Sequence, residues 1–490
     1  MVPRASVVPR ASVVPGTDGA SRASLVPPAG SESSRASVVP RASVVPRASV
    51  VPGAGGASRA SVLPRASVAP RAPAARAPLA TAHRVRALSL VVHRWVGLVM
   101  ASFLTVAGVT GSIIAFYPQL DALLNPELFV VDPPAPGALP LDPFELRDRV
   151  AQQLPPGQTL DDVVLEVEPG KSVNYWFDER ENFFDPYTGR KLGARRFGDL
   201  SEGKKNLLTF IYRFHYSLGL DDVGTWIFGI VALLWTIDCF VGGYLTFPVK
   251  LPASSSARGG SWLRRWAPAW LLKASQLFSL VFTWHRASGL WVWGFLLVFA
   301  WSAVALNLDV VYQPVMSLVL PRSEEPEPPL RERPVPQLTA RAAHARAREL
   351  LAHEAQTRGF QVIGERSLYY DAEHGRYQYT VESTLDIGPR LAETSVVLDG
   401  DDGRWLGFHS PTTEGLRNRI DRWLIALHFG SVREGGIVYR AFVCVLGTMV
   451  ALLSITGVWI WWRKRSKRQK RAPRPEVKGA RRLEATSGVG

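Results

Sequence analysis

The stretch SLVVHRWVGLVMASF, residues 89–103, has the composition of a membrane-spanning helix but carries His93 and Arg94 side by side. A similar phrase, FTWHRASGLWVWGF, returns at residues 282–295. Both phrases belong to long apolar blocks, of which the chain has four, at residues 88–117, 224–247, 277–308 and 437–462. At about 1.5 Å rise per residue, each block is long enough to cross a hydrocarbon core roughly 30 Å thick. The sequence therefore predicts four transmembrane helices.

Basic residues are concentrated at the two ends of the chain and in one connecting segment. Residues 1–86 hold 12 Arg against two acids, and residues 463–490 hold 11 Lys or Arg against two acids. Segment 248–281 contains five basic residues and no acid. Because short basic segments stay in the cytoplasm, we expect both termini and this segment inside the cell. The formal charge of +15 then reflects membrane topology, and no nucleic-acid partner is expected.

The chain divides into two similar halves, each with a span, an outer segment that alternates helical and extended patterns, and a second span. In the first outer segment, Asp185, Pro186 and Gly189 supply turn chemistry between extended runs. The predicted parts are a disordered Arg/Pro-rich repeat tail (1–86), a first transmembrane helix (87–117), an outer module (118–205), an interfacial segment with the second helix (206–247), a basic loop (248–276), a third helix (277–308), a second outer module (309–418), an interfacial segment with the fourth helix (419–463) and a basic tail (464–490). The predicted fold class is membrane α-helical, with four transmembrane helices in two repeated halves and two small extracytoplasmic α+β modules.

Four of the nine histidines lie near the ends of the predicted spans: His93, His215, His285 and His428. The predicted topology pairs His93 with His285 near the inner face and His215 with His428 near the outer face, one from each half. Two neutral imidazoles can fill both axial positions of a haem iron, which leaves no position for dioxygen and favours electron transfer. The pattern therefore predicts one or two haem groups with these four histidines as iron ligands.

A simpler interpretation of these histidines is also open. A histidine beside Arg and Trp at the end of a span is typical of an interfacial anchor or a helix cap. His215 and His428 each precede their apolar blocks by about nine residues, in amphipathic stretches. They could therefore lie on interfacial helices outside the bundle.

Glycines and arginines accompany the histidines at fixed spacings. Gly97, Gly219 and Gly289 each follow a histidine by four residues, so we expect them one helical turn away on the same face, where they leave room for a flat group. Arg94 and Arg286 directly follow the two inner histidines. They either pair with haem propionates or simply obey the positive-inside rule.

Other ionisable or reactive groups within the spans are few. Asp238 lies deep in an apolar run, which indicates either a proton or ion role or a neutral carboxyl group hydrogen-bonded to a neighbouring helix. Cys239 and Cys444 are the two cysteines, and no C-x-x-C-H motif is present for a covalently attached haem. The glycine-rich and hydrolase motifs of nucleotide-binding or hydrolytic enzymes do not occur in a credible context.

Several phrases together resemble the PepSY-associated transmembrane proteins. They include HRW-x-GL from residue 93, DP-x-TG from residue 185 and TG-x-W-x-WW-R from residue 456, and the likeness covers roughly residues 85–466. That family includes iron-regulated inner-membrane proteins and ferric-siderophore reductases, and some members bind haem b through span-end histidines at matching positions. The resemblance implies a multi-pass bacterial inner-membrane protein with PepSY-like outer modules. The second span departs from the family, because it reads TIDCFVGGYLTFP in place of a run rich in Leu and Thr-Gly.

We therefore expect a haem b electron-transfer protein that reduces a periplasmic acceptor, ferric iron or a ferric siderophore, in iron uptake. Its partners would be the lipid bilayer, a cytoplasmic reductase or quinol as electron donor, and the periplasmic ferric chelate. As an enzyme it would be a transmembrane ferric siderophore reductase. The alternative is a PepSY membrane protein without haem that binds or regulates a periplasmic protease or peptide. In a third interpretation, the protein is a membrane subunit that assembles a larger complex.

Overall fold

The computed structural model describes residues 77–249, 261–320, 331–413 and 415–471. Its α-helices are α1 (Ala77–Ile114), α2 (Tyr117–Leu124), α3 (Pro126–Phe129), α4 (Pro143–Ala151), α5 (Leu207–Ser217), α6 (Asp221–Thr246), α7 (Trp262–Trp266), α8 (Leu277–Trp291), α9 (Trp293–Asn307), α10 (Asp309–Val319), α11 (Ala340–Arg358), α12 (Gly415–His428) and α13 (Gly436–Arg471). Its strands are β1 (Asp162–Val164), β2 (Val173–Phe177), β3 (Arg180–Phe184), β4 (Lys191–Arg195), β5 (Val362–Asp371), β6 (Arg376–Ser383), β7 (Thr394–Asp399) and β8 (Trp405–His409). Most of the predicted repeat tail and parts of the basic loop and basic tail lie outside the described residues. Helix α1 begins ten residues before the predicted first span.

Three described helical segments are long and apolar enough to cross a membrane: His83–Ile114, Asp221–Thr246 and Gly436–Lys467. The predicted third span is a broken one. Its two parts, α8 and α9, meet at an angle of 70°. The described residues therefore contain three candidate spans, or four if α8 and α9 are counted as one span.

The break between α8 and α9 falls at Val292, whose φ of −109° and ψ of 12° interrupt the helix. The tryptophans on either side are hydrogen-bonded to different elements. Trp291 Nε1 donates to Trp270 O (3.2 Å), and Trp293 Nε1 donates to Cys239 O in α6 (2.8 Å). One hydrogen bond fixes the end of α8 and the other fixes the start of α9, each to a different element. The span predicted as one straight helix is therefore bent, although it has no proline at the break.

The apolar helices pack around a shared core. Met100 of α1, Val231 of α6, Leu296 of α9 and Leu446 of α13 are all buried in it. Helices α1 and α13 approach each other through glycines, and a Cβ at Gly108 would lie 2.4 Å from Gly447 O. Such close contact is available only to very small residues, which is how helices associate within membranes. The resulting bundle is the frame that positions the four histidines.

Two antiparallel sheets form at the end of the bundle to which α1 leads, here called the sheet end. The first has the strand order β2-β3-β4 and the second β1-β5-β6-β7-β8. After β3, Asp185 Oδ1 accepts a hydrogen bond from Tyr187 N (2.8 Å), and Gly189 takes a φ of +73° that favours glycine. This is the turn that the sequence indicated.

The two predicted outer modules are not separate. Strand β1 comes from the first outer segment but pairs with β5 of the second, with Val163 opposite Leu368. Phe144 and Val163 are buried in the same core as Leu351 and Tyr379. The two segments therefore share the five-stranded sheet and its core, while β2-β3-β4 is a sheet of the first segment alone.

A buried ionic cluster joins the first sheet to the bundle. Arg195 at the end of β4 is 1% exposed and bonds Asp121 of α2 (2.6 Å) and Glu181 of β3 (2.8 Å). Tyr117, at the start of α2, also accepts from this guanidinium. Because removing one partner of a buried ion pair leaves a costly unpaired charge, the cluster fixes the sheet against the end of α1.

Candidate functional site

The structure brings the four span-end histidines together as two pairs. His93 of α1 and His285 of α8 have ring centroids 6.4 Å apart, with an angle of 60° between the ring planes. His215 of α5 and His428 of α12 also have centroids 6.4 Å apart, at 57°. Each pair takes one histidine from each half of the chain. The outer histidines lie on short helices that precede α6 and α13, as the amphipathic stretches suggested, and their rings nevertheless meet.

Every one of these rings is held through Nδ1. Three of the four partners are hydroxyls: Thr110 for His215 (2.9 Å), Thr456 for His285 (3.1 Å) and Ser302 for His428 (2.7 Å). The fourth partner is a carboxylate, because Asp238 lies 2.9 and 3.0 Å from His93 Nδ1. The hydrogen bond to a neighbouring helix is thus the geometry that Asp238 adopts.

The hydroxyl partners decide which nitrogen carries the proton. Thr110 donates its own hydrogen to Val106 O (2.7 Å), Thr456 to Leu452 O (2.7 Å) and Ser302 to Phe299 O (3.0 Å). A hydroxyl has one hydrogen, so each of these oxygens accepts from the histidine. Nδ1 is therefore protonated, and Nε2 keeps a lone pair that can bind a metal. A carboxylate such as Asp238 imposes the same tautomer on His93.

Glycines that sequence reasoning missed lie against the edges of the rings. A Cβ at Gly111 would lie 3.0 Å from His215 Cε1, one at Gly457 3.3 Å from His285 Cε1, and one at Gly242 3.5 Å from His93 Cε1. Gly111 and Gly457 each follow the threonine that holds the same ring. A Thr-Gly dipeptide within an apolar helix was the signal: it supplies an acceptor for Nδ1 and space for the ring.

The three glycines predicted to leave room for a flat group, Gly97, Gly219 and Gly289, have different surroundings. A Cβ at Gly97 would meet nothing within 4 Å, and one at Gly289 would meet only Leu453 at 3.8 Å. Both line the cavity described below. The expectation for Gly219 was wrong, because α5 ends at Ser217 and Gly219 lies in a turn with φ +71°. It ends the helix and does not share a face with His215.

A cavity of about 680 Å³ surrounds the inner pair. Its lining includes both rings, Asp238 and the backbone beside Gly97. Its volume lies within the range of pockets that hold small molecules and cofactors. The sequence-predicted arginines are at its wall: Arg94 is exposed, and Arg286 donates to the carbonyls of Ala269 (3.1 Å) and Pro268 (2.7 Å).

The two pairs lie at opposite ends of the spans. On α1, 17 residues separate His93 from Thr110, the hydrogen-bond partner of His215. On α8 and α9, the same number separates His285 from Ser302, the partner of His428. In α1 this corresponds to about 26 Å. Within the described residues, no group of three or more His, Cys, Asp or Glu side chains is arranged to hold a metal ion. Each pair therefore offers two protein nitrogens.

The comparisons with known proteins bear on the family. No curated protein matches the chain. A family model described as the PepSY-associated TM region matches residues 90–464, which include the apolar helices, both sheets and all four paired histidines. The protein is therefore a member of the PepSY-associated transmembrane family.

Proposed function

We propose that each histidine pair binds one haem b and that the protein carries electrons across the bacterial inner membrane to a periplasmic ferric chelate, most simply a ferric siderophore. The observation that carries this proposal is the shared geometry of the two pairs. Both have the same ring separation, the same hydrogen-bonded nitrogen, Nδ1, and the same nitrogen left for a metal, Nε2. Helix anchors or caps would have no reason to agree in all three respects.

The ring separation would let the two histidines of each pair hold one metal. A bond between a metal and an imidazole nitrogen is about 2.0–2.1 Å long, so two rings with centroids about 6 Å apart could both reach one metal through Nε2. The observed separation is 6.4 Å in both pairs. Two nitrogens are too few for an isolated ion, so the remaining ligands have to come from a group such as a porphyrin.

The residues at the inner site have separate tasks. His93 and His285 present Nε2, Asp238 and Thr456 fix their tautomers, and Gly97 leaves the cavity wall open to a flat group. When bound, a haem with two imidazole ligands exchanges one electron and offers no open iron position. Buried apolar side chains of the bundle, among them Met100 and Leu446, would keep water out of the core between the helices.

The direction of transfer follows from charge. The basic segments favour a cytoplasmic location for the end of the bundle with His93 under the positive-inside rule, and the proposal therefore assigns the sheets to the periplasm. Electrons would enter from a cytoplasmic reductase or a quinol. At the sheet end, reduction of ferric to ferrous iron weakens its binding to hard oxygen ligands, and the metal is released from the chelate.

The haem-to-protein ratio of the purified full chain, expressed with ample haem supply, tests the proposal. We expect two haems per chain, one lost in His93→Ala/His285→Ala and the other in His215→Ala/His428→Ala. Dithionite-reduced protein should be reoxidised by a ferric siderophore. A colourless preparation would refute the proposal and favour the alternative in which the sheets bind a protease or peptide.

A matched pair of glycine variants separates loss of haem from loss of fold. Leucine at position 97 would extend into the cavity, whereas leucine at position 294 would also meet open space but lies outside the cavity lining. Gly97→Leu should therefore lower the haem content while Gly294→Leu retains it, with both variants equally well expressed. Equal haem content in the two variants would mean that the haem does not lie in the cavity beside Gly97.

A further inference from the structure

Two arginines lie beside the outer histidine pair without a carboxylate partner. Arg390 belongs to the short 3-10 helix Pro389–Leu391, and Arg440 lies in the first turns of α13. Both side chains are half-buried. Among the described residues neither guanidinium makes an ion pair, and Arg440 Nε is buried without a hydrogen bond.

Their surroundings are polar but neutral. With its amide oriented to satisfy its neighbours, Gln119 accepts a hydrogen bond from Arg440 Nη1 (2.7 Å) and donates to Phe116 O. Arg390 lies near the phenols of Tyr212 and Tyr117. Burial lowers the pKa of Arg390, and the positive charge of Arg440 lowers it further. Arg390 bonds Ser431 and Arg440 packs against the neighbouring Gly430, so the two cations lie beside the same turn, and neither makes an ion pair with a described carboxylate.

Four other arginines near the sheets differ in this respect. Their buried or half-buried guanidiniums have carboxylate partners within 3.0 Å: Arg195 with Asp121, Arg417 with Asp421, Arg422 with Glu393, and Arg433 with Glu382. A buried charge without a partner is costly. Two adjacent ones are consistent with a site that an anion completes.

The pair is adjacent to His428 and His215. Gly430, two residues after His428, faces Arg440, and a Cβ there would lie 3.4 Å from Arg440 Cγ. The backbone N–H of Arg390 donates to Ser431 Oγ in the same turn (3.3 Å). Tyr212, the neighbour of Arg390, lies one helical turn before His215 on α5.

We propose that Arg390 and Arg440 form a binding site for a carboxylate of an anionic ligand at the sheet end of the bundle, next to the outer histidine pair. A planar guanidinium binds a carboxylate through two parallel hydrogen bonds. Two adjacent guanidiniums attract such an anion with two positive charges. The carboxylate has two possible sources. One is a propionate of a haem on His215 and His428, and this source rests on the proposed function. The other is a soluble carboxylate chelate such as ferric citrate, which does not.

The test uses the purified full chain and the variant Arg390→Gln/Arg440→Gln. The control is Arg346→Gln/Arg358→Gln, which removes the same charge from two exposed arginines of α11. One arm measures the ligand-induced rise in melting temperature, with citrate and ferric citrate as carboxylate probes and with phosphate and anionic lipid vesicles as other anions. The other arm measures haem loss to an excess of an apoprotein that binds haem tightly. Arg440→Lys, which keeps the charge but not the planar fork, is measured in both arms.

We expect the Gln variant to weaken carboxylate binding at least about tenfold in one arm, with the Lys variant between it and the wild type. A citrate effect identifies the soluble chelate as the source, and faster haem loss identifies the propionate. Without either ligand, the Gln variant should be no less stable than the control, since it relieves repulsion. Two results would overturn the proposal: unchanged binding in both arms, or stabilisation of the wild type by phosphate or anionic lipid but not by carboxylates.

Discussion

Three of the four paired imidazoles are hydrogen-bonded at Nδ1 to a hydroxyl, and the fourth is hydrogen-bonded there to a carboxylate. This difference in partner should change the basicity of the other ring nitrogen. A carboxylate that accepts from a histidine increases the basicity of the other ring nitrogen more than a neutral hydroxyl does. Only His93 has such a partner, Asp238. A metal centre at the inner pair would therefore receive more electron density than one at the outer pair.

Replacing Asp238 with Asn should raise the reduction potential of the inner centre alone. The amide oxygen of Asn can still accept from His93 Nδ1, so ligation is retained while the negative charge is removed. Because hydrogen bonding to the axial ligand tunes the potential of a haem, a redox titration of the variant should show one shifted and one unchanged midpoint. Equal shifts at both centres, or no shift at either, would contradict the prediction.

The sequence indicated the identity and the pairing of the four histidines but not how they are held. His93, His285 and their glycines stood out because the same phrase occurs twice. The partners Thr110, Thr456 and Ser302 did not, since a single hydroxyl in an apolar helix usually bonds its own backbone. These hydroxyls do that as well, and only the packing of neighbouring helices shows that their lone pairs face a ring. The assignment of haem to the pairs stays a prediction.

At the scale of the helices, length and hydropathy indicated where the apolar segments lie but not that one of them is broken. No proline lies at Trp291, Val292 or Trp293, and the signal in the sequence is the weaker one of the Ser288-Gly289 pair that precedes the break. The bend depends on hydrogen bonds to Trp270 O and Cys239 O, which are contacts between elements. A pattern confined to one helix carries no information about them.

The contact between α1 and α13 depends on Gly447 having no side chain. A Cβ there would lie 2.7 Å from Gly108 O and 2.6 Å from Ser112 Oγ, so alanine would force the helices apart. We expect Gly447→Ala to destabilise the protein by about 1–3 kcal/mol, a typical cost of overpacking. Thermal unfolding in detergent measures this. Gly294→Ala is the control, because a Cβ at that position meets open space, and equal stability of the two variants would contradict the close contact.

At the scale of the whole molecule, the outer segments form one unit although the sequence indicated two. The composition of each segment predicted a helix with extended strands, and both sets of strands exist. Strand β1 has only three residues, and its partner β5 lies some 200 residues further along the chain. A strand this short does not specify its partner strand by its own sequence pattern. The pairing of β1 with β5 is favoured because it buries Phe144 and Val163 in one core with Leu351 and Tyr379.

The stability of this shared sheet should depend on pH through Glu365 of β5. Glu365 Oε1 lies 3.2 Å from His344 Nε2 and accepts from Tyr379 Oη (2.6 Å). The hydrogen bond with His344 is the main reason that the pKa of Glu365 falls from 4.5 to about 2, and the bond from Tyr379 adds to the effect. A lowered pKa means that the folded state favours the ionised carboxylate. Its stabilising contribution is therefore complete above about pH 4.5 and is lost as the pH falls towards 2.

Glu365→Gln should accordingly lower the melting temperature of the sheet at pH 7, and the difference from the wild type should shrink as the pH falls from 4.5 towards 2. Hydrogen exchange of the β5 and β6 amides in the full chain follows this region separately from the membrane helices. Glu349→Gln, in an exposed ion pair with Arg346 on α11, is the control and should change little at any pH. A difference that stays constant across this range would mean that Glu365 acts through packing and not through its charge.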